Sequence, residues 1–281
     1  MFTADLLAGK RILVTGGGTG LGAAMARRFA ELGAQLVVCG RRAEPLQATA
    51  AALQQASGLS VEAHVCDLRQ SDAVEAMMDA IWAKGPLDVL VNNAAATFVA
   101  RSEKLSARAA DAVLASTLHG ALYCTLAAGR RWIDAGRPGV VLSILSTSTI
   151  TGRAFTMPSA VAKSGVLAMT KSLAVEWGRH GIRLVGIAPG AFPTPGASGQ
   201  LMAQQRTGRD PAGRIPLGRV GQHLELANLA CYLVSDQAGY ITGEMVTIDG
   251  GGHLRTSGAE DLLSWTDDDW NDAARTRKAK T

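Results

Sequence analysis

Two groups able to do chemistry stand four positions apart in the stretch FTMPSAVAKSGVLAMTKSLA: the hydroxyl of Ser159 and the ammonium of Lys163. A helix here places both on one face, one turn apart. Far upstream, VTGGGTGLG (14–22) joins an apolar run to a helical pattern. Gly16, Gly20 and Gly22 let that backbone turn tightly and approach a ligand, with Gly18, Thr19 and Leu21 between them. The free N–H groups and dipole of the following helix then face an anion, which suits a pyrophosphate. The next apolar run ends VVCGRRAE. Gly40, Arg41 and Arg42 fill the place where an NAD-binding turn carries a carboxylate for the ribose 2′-hydroxyl. A guanidinium instead binds a 2′-phosphate through charge-assisted bonds, and cations sit poorly at a positive helix end unless an anion comes. The expectation is NADP(H). The competing readings are an ordinary strand–helix turn and two arginines that simply face water.

Positioning such groups takes a regular scaffold, and the hydrophobic pattern supplies one. Apolar runs that read as buried strands are RILVT (11–15), AQLVVCG (34–40), VEAHVCD (61–67), LDVLVNNA (87–94), GVVLSIL (139–145), IRLVGIAPG (182–190) and EMVTIDGG (244–251). Helical patterns alternate with them at 20–33, with Met25, Phe29 and Leu32 on one stripe, at 44–57, at 71–85 with Ser71 as its cap, through AADAVLASTLHGALYCTLAAGRRWIDAG, over the Ser159–Lys163 stretch, and at 224–236. This order predicts an α/β fold: a single doubly wound, Rossmann-type domain whose parallel sheet of about seven strands is covered by helices on both faces. No linker or repeat divides residues 1–252. The tail, 253–281, changes character: Thr266 and three Asp lead to a cationic end, which suits a short capped helix or a solvated surface segment. It belongs to the same domain or packs on a neighbouring subunit, where Trp265 and Trp270 would dock.

Composition narrows the classes. Net charge is only +4 and no block of Lys/Arg lies within the body of the chain, which counts against nucleic acid and fits an anionic small molecule. The four cysteines, Cys39, Cys66, Cys124 and Cys231, lie in apolar runs without metal or redox spacing and read as buried thiols. The five histidines show no ligand spacing, so no metal is expected. No charged leader precedes an apolar stretch, and no window is expected to reach the roughly 18 apolar residues of a membrane helix. The expected location is the cytoplasm.

The segments TGGGTGLG, NNAA (92–95), SxxxK (159–163) and PGAFPT (189–194) resemble, in order and spacing, the short-chain dehydrogenase/reductase family, over residues 10 to 252. The resemblance implies that Asp67 and Leu68 lie at the adenine and Asn93 and Ala94 at the adenosine ribose. It implies that Pro189, Gly190 and Thr194 hold the nicotinamide side and that Lys163 binds the nicotinamide ribose hydroxyls. In most of the family a Tyr stands where Ser159 stands. Within the family, Pro158-Ser159, GRIPLGRVG (213–221) and LANLA (226–230) are similar to the 2,4-dienoyl-CoA reductase branch. That branch moves hydride from NADPH to a conjugated thioester, and hydrogen-bond donors stabilise the resulting oxyanion. Where the branch has an Asn in the long helix this chain has His119, and where it has a Tyr after the fifth strand this chain has Ser148. His119 donates through a ring N–H, and Ser146 or Ser148 through a hydroxyl. Tyr123, one turn on, is a further donor or a core aromatic.

These readings converge on an NADPH-dependent reductase of an enoyl or dienoyl thioester. A carbonyl reductase must give its alkoxide a proton, for which the phenol is missing; a conjugated thioester needs an oxyanion site. The alternatives are an NADP-binding partner or sensor without turnover, and an atypical carbonyl reductase using His119 or Ser146 with water. Arg214, Arg219 and the tail lysines are candidates for CoA phosphates, should the thioester be on CoA. The loop 191–212 is expected to cover the substrate. A homo-oligomer, dimer or tetramer, is expected through the long helices.

Overall fold

The structure is a computed structural model that describes residues 2–194, 212–255 and 259–278. Seven parallel strands form one sheet in the order β3-β2-β1-β4-β5-β6-β7: β1 Arg11–Thr15, β2 Gln35–Gly40, β3 Val61–Val65, β4 Val89–Asn92, β5 Gly139–Ile144, β6 Ile182–Pro189 and β7 Met245–Ile248. The order reverses direction between β1 and β4, and such a switch point opens a crevice at the carboxyl ends of the strands. All five residues of β1 are buried, as an unbroken apolar run covered on both faces requires.

Helices cover both faces. On one side, Met25 and Phe29 of α1 (Gly20–Glu31), Leu46 and Leu53 of α2 (Ala43–Ser57) and Leu226 to Val234 of the later helix His223–Val234 join Ile12, Val14 and Val38 in one core. On the other, α3 (Ser71–Trp82), α5 (Gly120–Asp134) and α7 (Met157–Trp177) bury Met78, Ile81, Cys124, Trp132 and Trp177 against Leu13, Leu90 and Val141. Between them lie α4 (Ala107–Leu114) and the single turn α6 (Ser148–Thr151); His223–Val234 is α8 and the tail helix Asp267–Lys278 is α9. Helix α4 runs into α5 through a π-helical turn, Ala115–His119.

Three expectations change. Gln70, not Ser71, flanks the start of α3; Ser71 is its first residue, and its hydroxyl donates to Asp72 at 3.3 Å. The fourth and last strands are half their expected lengths: Asn93 turns to bond Thr15 and Gly16, and Asp249 leaves the ladder to accept bonds from Gly251 and His253. The helical stretch Ala107–Asp134 is also long and apolar enough to cross a membrane by length and composition, contrary to the sequence reading. Its hydropathy belongs to a helix that packs on the sheet, with Cys124, Ala127, Ala128 and Trp132 buried there. In the tail, Thr266 and Asp269 exchange bonds in a capping-box arrangement at the start of α9, as expected of Thr-Asp-Asp-Asp.

Trp132 locks this second face. Its indole N–H donates to the carbonyl of Leu87 at 2.6 Å, and its ring lies where a Cβ on Gly139 would stand, 2.4 Å away. Gly139→Ala must displace the ring or the strand. Overpacking of this kind destabilises by about 1–3 kcal/mol, so thermal or urea denaturation should show a loss in that range.

Candidate active site

The turn between β1 and α1 is built to receive an anion. Gly16 and Gly20 have φ of 64° and 58°, left-handed values that favour glycine. A Cβ on Gly22 would lie 2.4 Å from the Gly16 carbonyl oxygen. Thr19 flanks α1 without a side-chain cap, and no acidic residue occupies the first turn, where Leu21 packs on the core. The first N–H groups of the helix therefore lack a side-chain acceptor, and the positive end of its dipole meets no carboxylate. Gly18 backs onto Pro45 and Leu46 at the start of α2, and its carbonyl accepts from Thr49 at 2.9 Å. These features fit a dinucleotide pyrophosphate.

The turn is held from below by β4. Thr15 Oγ1 donates to the Val91 carbonyl at 3.1 Å and accepts from the N–H groups of Asn93 (3.0 Å) and Ala94 (3.1 Å). Asn93 Nδ2 donates back to Thr15 at 2.8 Å and to Gly16 at 3.3 Å. The side chain of Asn93 thus shapes the glycine turn. Across the crevice, Pro189 ends β6, Gly190 packs against Asp249, and Thr194 reaches the start of α1, where a Cβ on Gly20 would meet it at 3.3 Å.

At the carboxyl ends of β2 and β3, Arg41 and Arg42 are exposed, and Arg42 flanks α2 through its backbone. Asp67 is gripped by Arg69 through bonds of 2.5–3.0 Å. That hydrogen bonding, aided by the nearby charge of Arg41, holds its carboxyl below the usual range. Arg69 is a third cation here. Sequence reading missed it, although its place two positions after Asp67 was the available signal. Leu68 between them is buried under Gly120 of α5.

The reacting end gathers at β5. Lys163 is buried, and its ammonium donates to the Ile144 carbonyl, two residues before Ser146. Desolvation pushes its pKa down to about 8. Ser148 is buried, and its hydroxyl donates to Ser146 Oγ at 3.0 Å. The backbone N–H of Ser148 donates to the same oxygen at 3.2 Å. Ser146 Oγ accepts both bonds, and its own hydroxyl proton is left free to donate. Ser159 lies in the first turn of α7, one turn before Lys163; Thr156, not Ser159, flanks that helix. His119 is exposed on the π turn, its ring 6.0 Å from that of Tyr123, and makes no hydrogen bond to the serines or to Lys163. The π turn itself is fixed by Thr117, which accepts from the N–H of Ala96 at 3.0 Å, and by Leu118, which fills the space beside Gly165 of α7. No periodicity in the sequence announces it. Of the expected substrate-covering loop, residues 195–211 lie outside the described residues.

A family model described as Enoyl-(Acyl carrier protein) reductase matches residues 16–253. The chain belongs to the short-chain dehydrogenase/reductase family. It is 41% identical over 244 residues to a probable 2,4-dienoyl-CoA reductase of Bacillus subtilis, covering 86% of this chain and 96% of the relative. It is also 34% identical over 246 residues to the gluconate 5-dehydrogenase of Gluconobacter oxydans, covering 87% and 95%. Among solved structures, a short-chain dehydrogenase from Bacillus anthracis matches with a TM-score of 0.80 and 40% identity, covering 88% of this chain and 98% of that one. As a member of this family the protein is an oxidoreductase with a small-molecule substrate and a nicotinamide cofactor.

The depressed pKa of Lys163 has a signed consequence. The unfolded chain holds that proton to about pH 10.5, the folded chain only to about 8, so the burial penalty is full below pH 8 and disappears as pH rises from 8 to 10.5. Relative to Lys163→Met, the wild-type Tm should rise across that window, by about 2–4 °C for each kcal/mol relieved. Parallel melting curves at pH 7.5 and 10 check this.

Proposed function

We propose that this protein is an NADPH-dependent reductase that adds hydride to the conjugated carbon chain of an enoyl or dienoyl thioester. The observation that carries the reading is the hydroxyl pair Ser146–Ser148 at the end of the strand that buried Lys163 bonds, with a serine, Ser159, one turn before that lysine. Bound NADPH supplies the hydride. The chain's own part is to hold the nucleotide and to meet the charge that develops on the thioester oxygen. Gly16, Gly18, Thr19, Gly20, Leu21 and Gly22 surround the pyrophosphate. Arg41 and Arg42 take the 2′-phosphate, with Arg69 beside them. Asp67, Leu68, Asn93 and Ala94 line the adenosine, and Pro189, Gly190, Thr194 and Lys163 the nicotinamide half.

At the reacting end, the free proton of Ser146 points its donor at the oxyanion, with Ser148 polarising it through their shared bond. Ser159 supplies a second hydroxyl from α7. This donor set suits stabilisation of a delocalised oxyanion. Protonation of a localised alkoxide calls for an acid of lowered pKa, which serine hydroxyls are not. Relatives named as probable 2,4-dienoyl-CoA reductases support the substrate class. His119, exposed and remote in hydrogen bonding, has a lesser role on this reading. Val161 and Val175 stand 51% and 87% exposed on α7 opposite its buried stripe, which supports the proposal of a homo-oligomer, a dimer or tetramer, assembled through that helix.

NADPH oxidation with a 2,4-dienoyl-CoA tests the reading, with simple ketones as the contrast. Ser146→Ala should lower kcat by about 10²-fold, the cost of one oxyanion donor, and His119→Ala by far less. Turnover of ketones but not of the dienoyl thioester rejects the proposal; tight NADPH binding with no turnover of any substrate points to a cofactor-binding partner protein. Separately, Arg41→Ala with Arg42→Ala should raise the NADPH Kd about tenfold or more and leave NADH nearly unchanged, since charged hydrogen bonds contribute about 1.5–3 kcal/mol.

A further inference from the structure

The turn after β7 hides a carboxylate. The side chain of Asp249 is only 6% exposed. One of its oxygens accepts from the N–H of Gly251 at 2.9 Å. The other accepts from the N–H of His253 at 2.7 Å and from its ring Nδ1 at 2.8 Å. Burial pushes the carboxyl's pKa up, but the bonds from His253 and Gly251 outweigh it and hold the group below the usual range. A buried carboxylate is costly unless it is bonded, and here every listed bond comes from the turn itself. The carboxylate is therefore the hub on which residues 249–253 fold.

Two other segments rest on that hub. From one side comes the end of β6. The N–H of Gly190 donates to the Ile248 carbonyl at 2.9 Å, and a Cβ on Gly190 would lie 2.4 Å from the Cβ of Asp249. From the other side comes the stretch that leads into α8. The N–H of Leu217 donates to the Gly250 carbonyl at 3.2 Å, and a Cβ on Gly250 would meet Ile215 at 2.7 Å. Arg255 adds a bond to the Gly213 carbonyl at 2.9 Å. A cavity of about 80 Å³, lined in part by Ala191, Phe192, Ile215 and Leu217, lies where these segments meet. Packing between them is incomplete, so the bonded turn sets their spacing.

We infer that Asp249 and His253 are positioning residues for the nicotinamide half of the cofactor. The bonds between them fix the turn against which Gly190 packs, and Gly190 is the residue that faces the cofactor. This rests on the reading that Pro189, Gly190 and Thr194 line the nicotinamide, and it holds whatever substrate receives the hydride. A turn freed from its hub lets Gly190 shift, and a misplacement of about 1 Å costs roughly 10²-fold in rate.

Titrations with NADPH and with adenosine 2′,5′-bisphosphate test it. The fragment carries the adenosine and its phosphates but no nicotinamide. Asp249→Asn sets an amide N–H₂ against a donor of the turn. It should weaken NADPH about tenfold, the loss of one charge-assisted bond, and leave the fragment nearly unchanged. His253→Ala should do the same. His253→Asn, whose amide N–H can replace the Nδ1 donor, should restore most of the NADPH affinity. Fluorescence of bound NADPH, which reports the surroundings of the dihydronicotinamide, should move toward the free value in Asp249→Asn and His253→Ala but not in His253→Asn. If Asp249→Asn does not fold, the two His253 variants carry the same comparison. Equal weakening of NADPH and the fragment, no change in either, or no rescue by His253→Asn overturns the inference. For a chain that takes NADH instead, AMP is the fragment and the expectations are the same. Wild-type protein that binds neither dinucleotide removes the cofactor reading, and the inference falls with it.

Discussion

A threonine and an asparagine join the two strands between which the sheet reverses. Thr15 ends β1 and Asn93 follows β4, and their five hydrogen bonds fix the glycine turn to the neighbouring strand end. The turn itself has no internal means of keeping its shape, because glycines gain nothing from side-chain packing. Its geometry is imposed from β4. The same bonds position Ala94 and the loop that continues to Ala96, which Thr117 in turn fastens to the π turn. The glycine turn and the π turn are thus referenced to one pair of residues.

The electrostatics follow the same division. At the carboxyl ends of β2 and β3, Arg41 and Arg42 are exposed, and Asp67 is already paired with Arg69. Around the end of β5 the positive charge is buried: Lys163 is desolvated, and its ammonium donates to the Ile144 carbonyl. An ammonium so placed interacts strongly with whatever anion or hydroxyl reaches it, since little water screens it. Surface cations such as Arg41 act in water, and salt weakens them.

Most of the sheet was legible because five of its strands, β1, β2, β4, β5 and β6, are short apolar runs bounded by glycine or polar turns, and burial on both faces leaves that pattern nearly unbroken. The glycine turn was legible for a related reason: positive φ at Gly16 and Gly20 demands the residue that the sequence shows. What escaped depends on tertiary neighbours. Whether Ser71 caps α3 turns on Asp72, which takes its hydroxyl. Arg69 stands only two positions from Asp67, but the parallel ends of β2 and β3 are what bring Arg41 near that carboxylate. The candidate serines were found by family spacing, yet the bond from Ser148 to Ser146 is a matter of α6 geometry that no periodicity encodes.

The π turn at Ala115–His119 amounts to one surplus residue threaded into a helix. Everything from Gly120 onward is consequently rotated by about 100° relative to an uninterrupted α-helix. Losing a single codon there would restore regular winding, swing Cys124 and Trp132 off the sheet or drag Thr117 away from Ala96, and leave the two halves of the helix unable to satisfy both neighbours at once. The kink is thus a mechanical joint whose length counts in whole residues, and deletions should be tolerated far less at that point than substitutions.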